Sequence, residues 1–268
     1  MADVELSIED PVGIIRLNRP EKLNAFTYDT LREIRAAVET CASDRRVVGI
    51  VITGTGRGFS AGLDSATLAA VTSQSQSAQS AQPAEAPKSE ALPGIFSYLL
   101  EVPKPIIAAV NGVAAGGGLI LALMSDLRIA ADTASFTTVF LKRGLIAEHG
   151  SSWLLPRMVG VGRALDLLWM SDRIDAATAK EYGLVQQVVP ASELVERASD
   201  YVRRLAETSA PAAIAETKRL VYAHLGTNYV DALRDADRSQ WRFVGAPDAR
   251  EGAQALIEKR LPRFERLS

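Results

Sequence analysis

The chain has 268 residues, 47% hydrophobic and 23% charged, which supplies a substantial core and excludes wholesale disorder or a minimal disulfide-stapled scaffold. Thirty basic against 32 acidic residues give a net charge of −2, so nothing points to a general nucleic-acid binder. One cysteine, Cys41, and two histidines, His149 and His224, exclude an internal disulfide framework and a Cys-based or multi-His metal site. Residues 3–8 and 12–18 read as two strands of a hairpin, with Asp10-Pro11 as the turn. R-P-E-K-L-N-A-F (19–26) reads as a loop. From Thr27 to Cys41 the positions Leu31, Ile34, Ala37 and Val38 recur at helical spacing. V-V-G-I-V-I-T-G (47–54), P-I-I-A-A-V (105–110) and D-L-R-I-A (126–130) read as buried strands, with a helix from about Gly117 between the last two. The alternation predicts an α/β fold. Residues 72–88 are low in complexity and lack apolar periodicity, which predicts a mobile surface loop near a ligand site. Beyond residue 150 only 184–189 reads as a strand, and helical patterns cover 191–206, 211–225, 228–243 and 248–260. The N-terminus has neither a basic start nor an apolar run, and Pro105, Asn111 and Gly116 to Gly118 break up the most apolar stretch. The expectation is a soluble cytoplasmic enzyme that touches no membrane and no nucleic acid.

Three glycine-containing motifs invite chemical readings. Gly54-Thr-Gly56-Arg-Gly58 follows a strand, but Phe59 stands where a dinucleotide loop needs its third glycine, and low-complexity sequence replaces the second strand. Gly58-Phe59-Ser60-Ala61-Gly62 matches the serine-hydrolase elbow G-x-S-x-G. The predicted strand stops at Gly54, four residues before a nucleophile could use it, and the only late histidine is His224 inside a helical pattern. Ser60 is therefore expected to be an ordinary loop serine. Gly116-Gly117-Gly118 sits between a buried strand and an apolar helix. It reads either as a tight packing turn or as a helix N-terminus whose bare N–H groups face an oxyanion.

These motifs occur in one order along the chain: 19–26, F-S-A-G-L-D (59–64), P-K-P-I-I-A-A-V-N-G-V-A-A-G-G-G (103–118) and S-D-L-R-I-A (125–130), then G-L-I-A-E-H-G-S-S-W-L-L-P-R (144–157), E-Y-G-L-V (181–185) and I-E-K-R-L-P-R-F (257–264). From about residue 3 to 264 the chain resembles the enoyl-CoA hydratase/isomerase (crotonase) family. The resemblance implies a ββα spiral core over 1–195 that binds acyl-CoA, and a C-terminal helical region over 196–268 for oligomerisation, as a homotrimer or hexamer, and for CoA contact. It implies an acyl-CoA thioester substrate, with coenzyme A entering as part of that substrate and no permanently bound cofactor. By the same resemblance the backbone N–H groups of Leu63 and Gly117 form the oxyanion hole. Lys22, Leu23, Asn24 and Ala25 would line the pantetheine and phosphates, Ala61 and Asp64 the adenine pocket, and Lys259 and Phe264 would reach CoA, often from a neighbouring subunit.

The departures from the family pattern carry the chemical expectation. Ile120 and Phe140 stand where hydratases carry their two glutamates, and neither can activate water or deliver a proton. Glu148 remains at the position where isomerase-type members carry an acid. One carboxylate can take a proton from one carbon and return it to another. The alternative for Glu148 is a cap on the helix that starts near Ser151. The apolar Ile120, Phe140, Leu145, Ile146 and Trp153 are expected around it, and His149 beside it could assist. The expected activity is double-bond isomerisation through a thioester enolate. Hydration, thioester or C–C hydrolysis, and non-catalytic acyl-CoA binding are the alternatives.

Overall fold

The structure is a computed structural model that describes residues 2–70, 92 and 94–267. The segment expected to be a mobile loop, 72–88, lies outside the described residues. Among the described residues, ten strands occur in chain order. The first five are β1 (Val4–Glu9), β2 (Val12–Leu17), β3 (Gly49–Gly54), β4 (Gly58–Ser60) and β5 (Ile106–Val110). The rest are β6 (Val113–Ala115), β7 (Leu127–Ala131), β8 (Ser135–Thr137), β9 (Ile174–Asp175) and β10 (Gln187–Val189).

They form two sheets, a larger one in the order β1-β2-β3-β5-β7-β10 and a smaller one in the order β4-β6-β8-β9. The hairpin β1–β2 is antiparallel, from Val4 opposite Leu17 to Glu9 opposite Val12. From β2 onward the large sheet is parallel. Every residue of β3 and β5 is buried, which is why these strands are continuous apolar runs in place of an alternating pattern. Successive strands switch sheets: β3 leads to β4, β5 to β6, and β7 to β8. The chain therefore climbs as a spiral, an α/β architecture of the expected kind. The short strands of the smaller sheet escaped the sequence reading because two or three residues cannot display a period.

The Tyr28–Ser43 helix is capped by Thr27, whose hydroxyl oxygen accepts from the Thr30 N–H at 3.1 Å. It buries Ile34, Ala37, Val38 and Cys41 against the large sheet. The Gly117–Met124 helix is buried at every position after its first residue. The Leu194–Thr208 helix packs Leu194, Ala198 and Val202 against β3, β5 and β7, so residue 195 lies inside an element of the core. Three further helices follow, Pro211–His224, Tyr229–Val244 and Pro247–Glu258. The first is fastened to the core by Lys218, whose Nζ donates to Asp126 Oδ2 at 2.8 Å and to the Leu99 and Lys104 carbonyls. Among the described residues no helix is long and apolar enough to cross a membrane.

Candidate active site

Two loops run side by side at one end of β4 and β6. The first, 19–26, turns on Leu23 and Asn24, both in the left-handed region at φ 50° and 55°. Asn24 holds the turn closed: its Oδ1 accepts from the Arg19 N–H at 2.8 Å, and its Nδ2 donates to the carbonyls of Thr55 (3.0 Å) and Gly58 (2.8 Å). The second loop, 60–64, bonds to the first along its length. Ala61 N–H donates to the Leu23 carbonyl at 2.9 Å, Phe26 N–H to Gly62 at 2.7 Å, and Asp64 N–H to Phe26 at 2.8 Å. These bonds flank Leu63 and leave its own N–H without an acceptor among the described residues.

Gly117 opens its helix, so its N–H has no intrahelical acceptor, and none is found among the described residues. The two unpaired donors are neighbours. A Cβ on Gly117 would lie 3.7 Å from the Leu63 nitrogen, and one on Gly62 would lie 2.8 Å from the Gly117 nitrogen. Gly62, at φ +85°, is thus required both by its backbone conformation and by the close approach of the two turns.

Leu63 and Gly117 line a cavity of about 560 Å³ together with Phe26, Phe140, Leu145, Glu148 and His149. A larger cavity of about 760 Å³ lies between Leu92 and residues 100–103 on one side and the Pro211–His224 helix on the other, but among the described residues its lining includes neither donor and not Glu148. Convergent polar groups, more than size, mark a chemical site. The smaller cavity has them.

Glu148 and His149 occupy a turn ahead of the Ser151–Val159 helix, with His149 at φ 50° and Gly150 at φ 82°. The residue at the helix cap is Gly150, and no side chain caps the helix. The Glu148 carboxylate is therefore not consumed as a cap; only its backbone carbonyl accepts, from the Ser151 N–H at 3.0 Å. Its Oε2 lies 3.4 Å from His149 Nε2, with both side chains about one-third exposed. The expected apolar surroundings need correcting. Phe140 and Leu145 share the cavity, but Ile120 is sealed in the core and Ile146 is 78% exposed. Trp153 faces the larger cavity, with Arg157 stacked over its ring at 4.1 Å.

The other residues named from the sequence fall in three places. Lys22, Leu23 and Ala25 belong to the first loop, where Lys22 is exposed and the Ala25 carbonyl accepts from Arg19 at 2.6 Å. Ala61 and Asp64 belong to the second loop. Asp64 Oδ1 accepts from the Ala66 N–H at 3.0 Å and its Oδ2 faces Arg19 at 3.8 Å, so its side chain already has structural partners. Lys259 and Phe264 are at the C-terminal end. Lys259 ends the Pro247–Glu258 helix in a left-handed conformation, and the Phe264 ring folds back to Gly252. Neither lines the cavity in a single chain. Sequence reasoning did not single out Tyr28 and Arg143, which also line it. Tyr28 sits one helical turn from Leu31, a spacing that could have signalled it; Arg143 carried no such signal.

The two discarded motifs have structural explanations. The strand β3 ends at Gly54 as expected, but a separate short strand, β4, leads directly into Ser60. Yet the Ser60 hydroxyl is fully buried, donates to the Asn24 carbonyl at 2.8 Å and accepts from the Gly62 N–H at 3.1 Å. It is a loop clamp. The Gly54–Gly58 turn is filled by the side-chain amides of Asn24 and Asn111, the latter donating to Gly56 and Gly58.

Comparison with known proteins gives a consistent picture. The family model described as enoyl-CoA hydratase/isomerase matches residues 7–266. A 1,2-epoxyphenylacetyl-CoA isomerase of Escherichia coli is 35% identical over 259 residues, covering 96% of each chain. A probable enoyl-CoA hydratase of Mycobacterium tuberculosis is 35% identical over 257 residues, covering 94% of this chain and 89% of that protein. The crystal structure of an enoyl-CoA hydratase from Bacillus anthracis superposes with a TM-score of 0.87 at 30% identity, over 98% of this chain and 99% of that one.

Proposed function

Because the chain belongs to the enoyl-CoA hydratase/isomerase family, whose members act on acyl-CoA thioesters, we propose that it isomerises the double bond of an enoyl-CoA through a thioester enolate. The observation that carries this reading is a cavity with two unpaired backbone donors and, among the described residues, Glu148 as its one carboxylate; by the family resemblance, the apolar Ile120 and Phe140 hold the positions of the hydratase acids. Glu148 removes a proton from C2 of a 3-enoyl thioester. The charge that develops on the thioester oxygen is met by the N–H groups of Leu63 and Gly117, donors fixed in advance where the charge appears. The same carboxyl returns the proton at C4, which leaves the double bond between C2 and C3. No water is consumed, so one acid suffices and no cofactor beyond the substrate's own CoA is needed.

The exposed Lys22 and the first loop are assigned to the CoA phosphates and pantetheine, Ala61 and Asp64 to the adenine end, and Lys259 and Phe264 to CoA held across a subunit boundary. Thioester hydrolysis is the second reading, supported by the 3.4 Å contact between Glu148 and His149, a pair that could activate water. Incubation of the purified protein with 3-enoyl-CoA and 2-enoyl-CoA tests both. Migration of the double bond is the expected result, and crotonyl-CoA hydration should be slower than in two-glutamate enzymes by about 10²–10⁴-fold for each missing group. Hydration at a competent hydratase rate, or binding with no turnover of any thioester, would overturn the isomerase assignment. Release of free CoA would favour the second reading.

A further inference from the structure

The segment S-D-L-R-I-A (125–130) has no part in the proton transfer, yet it places a cation in the core. Arg128 is 4% exposed. Its Nη1 donates to the carbonyls of Ser125 at 2.7 Å and Ala122 at 3.3 Å, and its Nε donates to Leu184 at 2.7 Å. Ala122 and Ser125 close the C-terminal end of the Gly117–Met124 helix, whose first residue offers its N–H to the cavity. A buried guanidinium ordinarily has a carboxylate partner. The neighbouring Asp126 is taken elsewhere: Tyr222 Oη donates to its Oδ1 at 2.9 Å, and Lys218 Nζ (2.8 Å) and the Ile106 N–H (2.7 Å) donate to its Oδ2. Among the described residues no carboxylate forms an ion pair with Arg128. Burial pushes its pKa down to about 10, which leaves it charged at neutral pH.

We propose that Arg128 is a positioning residue for the oxyanion donor: it fixes the C-terminal carbonyls of the Gly117–Met124 helix, and its charge, which no carboxylate contacts among the described residues, strengthens the positive end of that helix at Gly117. The inference rests on the enolate reading of the site. Eight residues rise about 12 Å, so the guanidinium lies roughly one helix length behind the donor. The carbonyl end of a helix carries a partial negative charge that opposes the field at its N-terminus. A cation bonded to those carbonyls removes the opposition, and the buried helix between transmits the field with little screening.

Binding of two CoA ligands tests this: a saturated acyl-CoA, which is neutral at the carbonyl, and a 3-ketoacyl-CoA of equal length, which enolises readily. The wild-type protein should prefer the enolate form. Arg128→Gln keeps a donor but loses the charge, and should lower that preference about three- to tenfold while leaving the neutral ligand's Kd unchanged. Arg128→Lys keeps the charge and should hold the preference within about twofold of the wild type. An unchanged preference in R128Q, or equal weakening of both ligands, overturns the proposal. If R128Q does not fold, R128K decides, because a comparable loss of preference with the charge retained also overturns it. A wild-type protein indifferent to the enolate defeats the enolate reading itself; a wild-type preference that ignores Arg128 defeats only the present inference.

Discussion

Glu148 and Ser60 show how little a side chain's identity says before its neighbours are known. Both sit in recognisable motifs, and both had a structural alternative. The carboxylate of Glu148 turns out to be free of the helix behind it, while the hydroxyl of Ser60 is used twice to tie two loops together. Glu148→Gln keeps size and polarity but removes the base. CoA binding should survive and isomerase turnover should fall about 10²–10⁴-fold, as read by kcat in a double-bond migration assay. Unchanged turnover would transfer the role to His149. Ser60→Ala is not the silent change expected of an ordinary loop serine. It leaves a buried N–H and a buried carbonyl unpaired, so thermal unfolding should register a loss of about 1–3 kcal/mol, while residual turnover excludes a nucleophilic serine.

Within elements, the glycines after β6 divide into different duties. A methyl on Gly117 would meet Gly62, Phe26 and Leu63 at 3.5–3.7 Å, which is ordinary contact. A methyl on Gly118 would meet the Ser60 carbonyl oxygen at 2.1 Å, which no side-chain adjustment can relieve because the obstacle is backbone. Gly117→Ala should therefore fold normally, whereas Gly118→Ala should cost about 1–3 kcal/mol or more in a denaturant titration. Equal stability of the two variants would contradict the packing described here. Between helices, Glu216 accepts from Arg219 Nη2 at 2.9 Å, from Arg242 at 3.0 Å and from Ser239, joining the Pro211–His224 and Tyr229–Val244 helices. The Arg219 hydrogen bond, first among these, holds its pKa below the usual carboxylate range. A depressed carboxylate contributes stability that is present above the unfolded-state value and is lost as pH falls through the folded-state value. Acidification below about pH 4 should loosen this helix pair, and the emission of Trp241 on the second helix should report it before the core unfolds.

For the whole molecule, the last two C-terminal helices carry large apolar side chains that are exposed in a single chain. Trp241 is 73% exposed, Ile257 75% and Leu256 80%. Together with the absence of Lys259 and Phe264 from the cavity lining, this supports the proposed homo-oligomer, in which a neighbour would cover these side chains. Light scattering should give a multiple of the 28.8 kDa chain mass, with three copies as the first expectation. A monomer at micromolar concentration would contradict it.

The sequence by itself determined the elements that carry a period or a run. The parallel strands β3, β5 and β7 are legible because both their faces are buried, and the Tyr28–Ser43 helix because only one face is. Ordered motifs fixed the family, and the absence of acids at 120 and 140 fixed which chemistry to doubt. Other features depended on contacts between residues far apart in the chain. The short strands of the second sheet exist only because each spiral turn lays two or three residues beside the last. That Leu63 and Gly117, 54 positions apart, leave adjacent N–H groups unpaired follows from the 60–64 loop closing on the turn that opens the Gly117–Met124 helix. The outward turn of Ile146, the burial of Ile120 and the capture of Asp126 by Lys218, which leaves Arg128 without a carboxylate, have the same origin. Local pattern sets which way a residue can face; only the packed fold sets what it meets there.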